Sequence, residues 1–180
     1  MESTQGKLLI ASTRLLDPNF ARSVLLMIQH NEDGAFGLVL NRPLKATVRE
    51  ACEHAMHESC KVEDVLRQGG PCDGPLMVLH AAESARDVEV AKGLFFTTDR
   101  VKIESLLNQP ETRARYFVGY SGWVAGQLEA EMETGSWLVS PLDIEHALDA
   151  GPKAWSHLMT KLTMGQWIDE ADMPDDPSMN

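Results

Sequence analysis

Two apolar runs, Val24 to His30 and Phe36 to Leu40, flank the segment Asn31-Glu32-Asp33-Gly34. Strand-like runs joined by a short Asn/Asp/Gly segment predict a β-hairpin. This pattern constrains the chain more than any other, because it places two long apolar strands side by side in one sheet. Asn41-Arg42-Pro43 is expected to end the second arm, since proline has no amide hydrogen to give to a strand ladder.

Around the hairpin, local patterns alternate between strand and helix. Gly6 to Ser12 reads as a strand, and Asp17-Pro18-Asn19 as a turn. Thr47-Val48-Arg49-Glu50 fits a capping box that starts a helix running to about Ser59. On that helix Val48, Ala51, Cys52, Ala55 and Ser59 share one face, which buries Cys52 and leaves Glu53, His54, His57 and Glu58 near solvent. Gly69-Gly70-Pro71 and Asp73-Gly74-Pro75 punctuate a loop before a strand from Leu76 to His80. Leu94 to Thr97 is a further strand, and a helix beginning near Asp99 carries Val101, Ile103, Leu106 and Leu107.

Arg115 to Tyr120 then predicts a strand feeding the glycine-rich stretch Gly119 to Glu129. A helix from Ala125 to Glu133 is expected to bury Leu128 and Met132 and to expose Glu129, Glu131 and Glu133. Gly135 ends it, and Trp137-Leu138-Val139 returns as a strand. Helices over Ile144 to Leu148 and Lys153 to Leu162 are separated by Gly151-Pro152. Residues 1–165 are read as one α/β domain, with room for a small subdomain. Residues 166–180 are read as a solvated, disordered acidic tail: from Asp169 onward there are five acids and no bases.

Charge and cysteine usage narrow the function classes. With 27 Asp+Glu against 16 Lys+Arg the net charge is −11, which disfavours unspecific attraction to nucleic acid or an anionic membrane. Leu8-Leu9-Ile10-Ala11 is too short for a signal-peptide core, and Val24 to Ile28 is far short of a membrane span. Cys52, Cys60 and Cys72 form no CxxC and leave one cysteine over, as expected of reduced thiols in a cytoplasm.

The segments Gly6-Lys7-Leu8-Leu9-Ile10-Ala11, Asp17-Pro18-Asn19-Phe20, Gly34 to Pro43, Gly69-Gly70-Pro71, Leu79-His80, Gly119 to Glu129 and Ser136-Trp137-Leu138 occur in one order across positions 6 to 138. In that order they resemble the bacterial YqgE/AlgH family. The resemblance implies an α/β (α+β) sandwich, with a mixed, largely antiparallel sheet and flanking helices. That family has no settled biochemical activity. Some members are labelled transcriptional regulators through a genetic link to alginate production, which is not evidence of DNA binding. The chain departs from many relatives at Cys72, where a small apolar residue is common, and at Ala11-Ser12-Thr13, where Ala-Ser-Pro is usual.

Several constellations are chemically suggestive. Gly119, Gly122 and Gly126 could form a strand-to-helix corner whose free amides take an anion, or a tightly packed turn anchored by Trp123. The lysine of a phosphate loop is missing, and the glycine spacing is not that of a dinucleotide fingerprint. Asn41, Arg42, Gly69, Gly70 and His80 fall at strand ends or loops, where they could line a cleft. The structural alternative has Arg42 capping carbonyls at the hairpin exit and His80 bonded within the core. His54, His57 and Cys60 match no zinc-site spacing, so no metal and no cofactor is expected. Cys72 would need a neighbouring base to act as a nucleophile, with His80 or His30 as the candidates, and Ser121 sits one glycine off the serine-elbow pattern. Lys153, His157 and Lys161 make only a thin basic footprint for nucleic acid.

These readings favour a non-enzymatic cytoplasmic protein that binds a small ligand or a protein partner. Its cleft would be lined by Asn41, Arg42, Gly69, Gly70, His80, Gly119, Gly122 and Trp123. The alternatives are a transcriptional regulator, direct or indirect, and a thiol-dependent or hydrolytic enzyme using Cys72 or Ser121.

Overall fold

The computed structural model describes residues 2–55 and 60–171. Among the described residues eleven strands form two sheets. They are β1 (Lys7–Ala11), β2 (Val24–Asn31), β3 (Gly34–Val39), β4 (Pro43–Thr47), β5 (Val65–Gln68), β6 (Met77–His80), β7 (Val88–Ala91), β8 (Leu94–Thr97), β9 (Ala114–Val118), β10 (Ser121–Val124) and β11 (Trp137–Pro141). The helices are α1 (Val48–Ala55), α2 (Arg100–Leu107), α3 (Gln127–Glu133), α4 (Ile144–Asp149) and α5 (Ala154–Ala171). The first sheet runs β10-β3-β2-β1-β11, antiparallel throughout. The second runs β4-β5-β9-β6-β8-β7, and its β5–β9 pair is parallel. An α/β sandwich with a mixed, largely antiparallel architecture is therefore what the chain adopts.

The expected hairpin is β2–β3. Asn31 pairs with Gly34, and the Asn31 side chain accepts from the Asp33 amide at 2.9 Å, which tightens the turn. The run Val24 to Ile28 is buried without alternation because β2 is central and covered on both faces. Val24, Leu26 and Ile28 face the core between the sheets. Leu25 and Met27 face the outer core that also contains Trp123, Leu128 and Trp137. The inter-sheet core is completed by Met77, Leu79, Phe96 and Phe117 from the second sheet and by Ala147, Leu148 and Leu158 from α4 and α5. A third core, beneath α1 and α2, holds Val48, Cys52, Ile103, Leu106 and Tyr116.

The capping box forms as expected: the Thr47 amide donates to Glu50 Oε2 at 2.8 Å, and the Glu50 amide to Thr47 Oγ1 at 3.2 Å. Asp99 caps α2, but Val101 on that helix is 73% exposed and takes no part in the core. Ser59, His57 and Glu58 of the expected first helix lie outside the described residues. Helix α5 extends beyond the expected Leu162 to Ala171, and its Trp155 indole donates to the Ala11 carbonyl at 2.7 Å.

Two expectations are corrected. The hairpin arm ends at Val39, ahead of Asn41-Arg42-Pro43, and the chain resumes on the proline as β4, an edge strand of the second sheet. The stretch Gly119 to Glu129 is not a strand-to-helix corner. Strand β9 ends in the second sheet, the chain crosses at Gly119-Tyr120, and β10 is laid down in the first sheet before α3 begins. Strands β4, β5, β7 and β10 have no counterpart in the sequence reading.

Candidate functional site

The two places where the chain changes sheet lie against each other. The first is Asn41-Arg42, between β3 and β4, and the second is Gly119-Tyr120, between β9 and β10. Gly69 stitches them together. Its amide donates to the Val118 carbonyl of β9 at 2.9 Å, and its carbonyl accepts from the Val39 amide of β3 at 2.8 Å, so one residue bonds to both sheets. The Ser121 hydroxyl donates to the same carbonyl at 3.2 Å. The Gln68 amide donates to the Arg42 carbonyl at 2.9 Å. A Cβ on Gly69 would lie 2.3 Å from the Gly119 carbonyl oxygen, closer than any side chain tolerates. Gly119 itself has φ +70, a left-handed conformation that favours glycine, and a Cβ there would meet the Gly70 oxygen at 2.7 Å.

Asn41 and Arg42 are tied to the loop that precedes β2. Asn41 Oδ1 accepts from the Val24 amide at 3.0 Å, and its Nδ2 donates to the Arg22 carbonyl at 2.9 Å. Arg42 donates to the Ala21 carbonyl at 3.2 Å. Burial lowers the Arg42 pKa, and Asp17 acts in the opposite sense. Between these anchors Arg22 is held at φ +58, an uncommon conformation for a residue with a side chain. Its guanidinium lies over the Trp155 ring, 5.5 Å from the centroid.

His80 is not brought to this seam. It pairs with Ala114 at the far end of β9, five residues before Gly119, or roughly 16 Å along an extended chain. It is fully buried, near Phe95, and neither ring nitrogen makes a hydrogen bond. Burial lowers its pKa, an effect that the Ala82 backbone and Asp87 oppose and Lys102 reinforces.

Strand β10 carries the remaining candidates. Gly122 pairs with Phe36 and is exposed, and Val124 pairs with Gly34 and is 72% exposed. Between them Trp123 turns inward and is 5% exposed. Its indole donates to Glu131 Oε2 at 2.9 Å, and the Trp137 indole donates to the same oxygen at 2.8 Å. Gln127 donates to the other oxygen of Glu131 at 3.0 Å. Phe20 stacks on Trp123 and meets Trp137 edge-on. Sequence reading placed Glu131 in solvent and so missed this clamp. The signal available was that two tryptophans buried under one helix each need an acceptor. Glu129, also expected in solvent, is 18% exposed at its side chain and bonds His30 Nε2 at 3.0 Å. Its pKa is lowered by its own backbone amide and by His30.

Among the described residues neither nucleophile candidate is hydrogen-bonded to a histidine. Ser121 is fully buried and its hydroxyl donates to a carbonyl, which cannot take its proton. Cys72 is half-buried and bridges Tyr120 through backbone bonds of 3.0 Å in each direction. The His30 ring is engaged by Thr4 and Glu129. Among the described residues no group of three His, Cys, Asp or Glu side chains could hold a metal ion. His54 bonds the Glu50 carbonyl, and His57 lies outside the described residues. No helix among the described residues is long and apolar enough to cross a membrane.

Three surface cavities lie elsewhere. One of about 640 Å³ occupies the corner between α4 and α5, lined by Glu145, Asp149, Lys153 and His157 among others. One of about 400 Å³ lies between Thr47 and Val65, and one of about 320 Å³ between Ala51, Leu76 and Ile103. None of the eight candidate residues lines any of these three.

Comparison with known proteins is consistent over nearly the whole chain. A family model described as AlgH-like matches residues 8–167. The UPF0301 protein CT0663 of Chlorobaculum tepidum is 41% identical, covering 97% of this chain and 95% of the relative. A UPF0301 protein of Myxococcus xanthus is 36% identical over 86% of this chain and 88% of the relative. The solution structure of the AlgH protein from Pseudomonas aeruginosa superposes with a TM-score of 0.76 at 29% identity, covering 98% of this chain and 99% of that one. The crystal structure of protein DIP2367 from Corynebacterium diphtheriae gives 0.71 at 27% identity, with 89% and 88% covered.

Proposed function

The chain belongs to the AlgH-like family, and we propose that it is a non-enzymatic, cytoplasmic protein-binding module whose binding surface is the open edge of β10. One observation carries this reading. The sandwich has four edge strands, and three carry residues that discourage pairing: Pro43 and Lys45 on β4, Glu89 on β7 and Pro141 on β11. Strand β10, Ser121-Gly122-Trp123-Val124, carries neither a proline nor a charge. The edge is open at Gly122, between Tyr120, which Cys72 covers, and the Val124 amide, which Gln127 holds, and an open edge is a template for another strand.

In this reading Asn41, Arg42, Gly69, Gly70 and Gly119 are the frame that fixes the edge. Trp123 anchors it and Gly122 opens it, while His80 belongs to the core. A protein partner is favoured over a small ligand because Gly122 and Val124 present an exposed strand edge. Cytoplasmic residence rests on three free cysteines. Indirect action on transcription through a partner fits the same surface. Direct DNA binding does not fit a chain of net charge −11.

The test is photo-crosslinking in cells from a reactive side chain at position 124, with position 101 on α2 as an equally exposed control. A reproducible adduct from 124 and none from 101 is the expected result. The same adducts from both positions, or none from 124, would overturn the reading.

A further inference from the structure

The surroundings of β10 select what can lie on it. Acids stand at both ends of the strand. At its C-terminal end Val124 pairs with Gly34, directly after the exposed turn residues Glu32 and Asp33. At its N-terminal end Tyr120 bridges to Cys72, which is followed by the exposed Asp73. Glu129 and Glu131 add negative charge, although their side chains already accept hydrogen bonds. No lysine or arginine occurs from position 116 to position 152.

Along the strand itself the lining is apolar. Gly122 and Val124 are two residues apart and so share one face. On that side Phe36, the partner of Gly122, lies 5.2 Å from the Tyr120 ring and 5.6 Å from the Phe96 ring, centroid to centroid. Phe36 and Tyr120 are only half-buried. A Cβ on Gly122 would sit 3.3 Å from the Tyr120 ring, so the glycine leaves that ring uncovered. An incoming strand would find main-chain partners at Gly122, since the Val124 amide is already held by Gln127 Oε1 at 3.2 Å and Tyr120 is paired with Cys72, together with aromatic surface for one of its faces and negative charge around it.

We propose that the edge of β10 accepts an extended segment of a partner protein, with alternating apolar and basic residues, as an added sixth strand of the first sheet. This rests on the reading of β10 as the binding edge and adds to it the chemistry of the partner. Main-chain bonds supply affinity in this mode, and the alternate side chains supply specificity. A second copy of this chain is disfavoured as the occupant, because pairing β10 with itself would bring two sets of these acids together in molecules of net charge −11 each.

The probe is a blocked octapeptide of alternating lysine and valine, titrated into isotopically labelled protein and followed by amide chemical shifts. A glutamate–valine octapeptide is the control. The expected result is saturable shifts at Ser121 to Val124, Phe36 and Tyr120 with the basic peptide alone. Val124→Lys should weaken that binding several-fold or more, and more than Val124→Glu does. Added salt should weaken it. Equal binding of the acidic peptide, shifts confined to β4, β7 or β11, or no shift at millimolar peptide would each overturn the proposal. So would concentration-dependent self-association through β10. If position 124 crosslinks a partner in cells while the peptide leaves β10 unmoved, the binding-edge reading stands and the basic-strand proposal falls.

Discussion

The Trp123 indole donates to Glu131 Oε2 at 2.9 Å, which fastens the middle of an edge strand to the helix lying over it. The same oxygen serves Trp137 on β11, the strand at the opposite edge of that sheet. One carboxylate thus spans the outer face of the first sheet and holds β10 at a fixed height. On the proposed reading, an edge positioned in this way before a partner arrives lowers the ordering cost of binding.

Glu131→Ala is expected to cost about 2 kcal/mol, since it leaves two buried indole N–H groups without an acceptor. Glu131→Gln keeps one acceptor oxygen and should cost roughly half as much. Urea unfolding at neutral pH measures both. A Glu131→Ala protein as stable as wild type would show that the clamp contributes nothing.

Gly69 and Gly122 should respond in opposite ways to alanine. At position 69 the new methyl would meet the Gly119 carbonyl oxygen and the Leu38 side chain at once, and a loss of about 3 kcal/mol or more is expected. At position 122 it meets only the Tyr120 ring at 3.3 Å on an exposed strand, and the loss should stay under about 1 kcal/mol. Chemical denaturation of the two variants makes the comparison. Equal losses would mean that the seam is not as tightly packed as these distances require.

How far the sequence reveals this arrangement depends on the range of the forces involved. The β2–β3 hairpin, the Thr47–Glu50 capping box and the Asp99 cap were legible because each is decided by residues within a few positions of one another. Strand β5 was not, since Val65-Leu66-Arg67-Gln68 is short and buries an arginine against Asp64, at 2.9 Å. The glycines at 119 and 122 stand out in the sequence, but glycines alone do not state whether the chain turns into a helix or crosses to another sheet. That choice is made by Gly69, fifty residues away in sequence, and by the ladder of β3. Glu131 looked solvated because its helical spacing is ordinary. Its partners come from two other elements.

Stability should fall on mild acidification, through His80. Burial holds its folded-state pKa below the ordinary histidine value, so the unfolded chain takes up the proton first as pH falls. The contribution is fully present above about pH 6.5 and is lost as pH drops toward the lower folded value, with a slope of at most about 1.4 kcal/mol per pH unit. Unfolding free energies measured from pH 7.5 downward for wild type and His80→Phe isolate the effect. The variant should show the shallower dependence, and identical curves would show that His80 does not take part.

Thiol labelling addresses the enzymatic alternative. Cys72 is half-buried whereas Cys52 and Cys60 are buried, so Cys72 should alkylate first in the native protein. With no base against its thiol, it should react no faster than free cysteine at neutral pH. A Cys72 rate well above that of free cysteine would reopen a nucleophilic or redox role.

The most direct measurement compares what co-purifies with Val124→Lys and with Val101→Lys from the native host. Both substitutions place a lysine on an exposed valine, one on the edge of β10 and one on α2. Binding at the β10 edge predicts that the partner recovered with wild-type protein is retained by Val101→Lys and lost by Val124→Lys, while both variants melt at the wild-type temperature. Equal recovery from the two folded variants would contradict it.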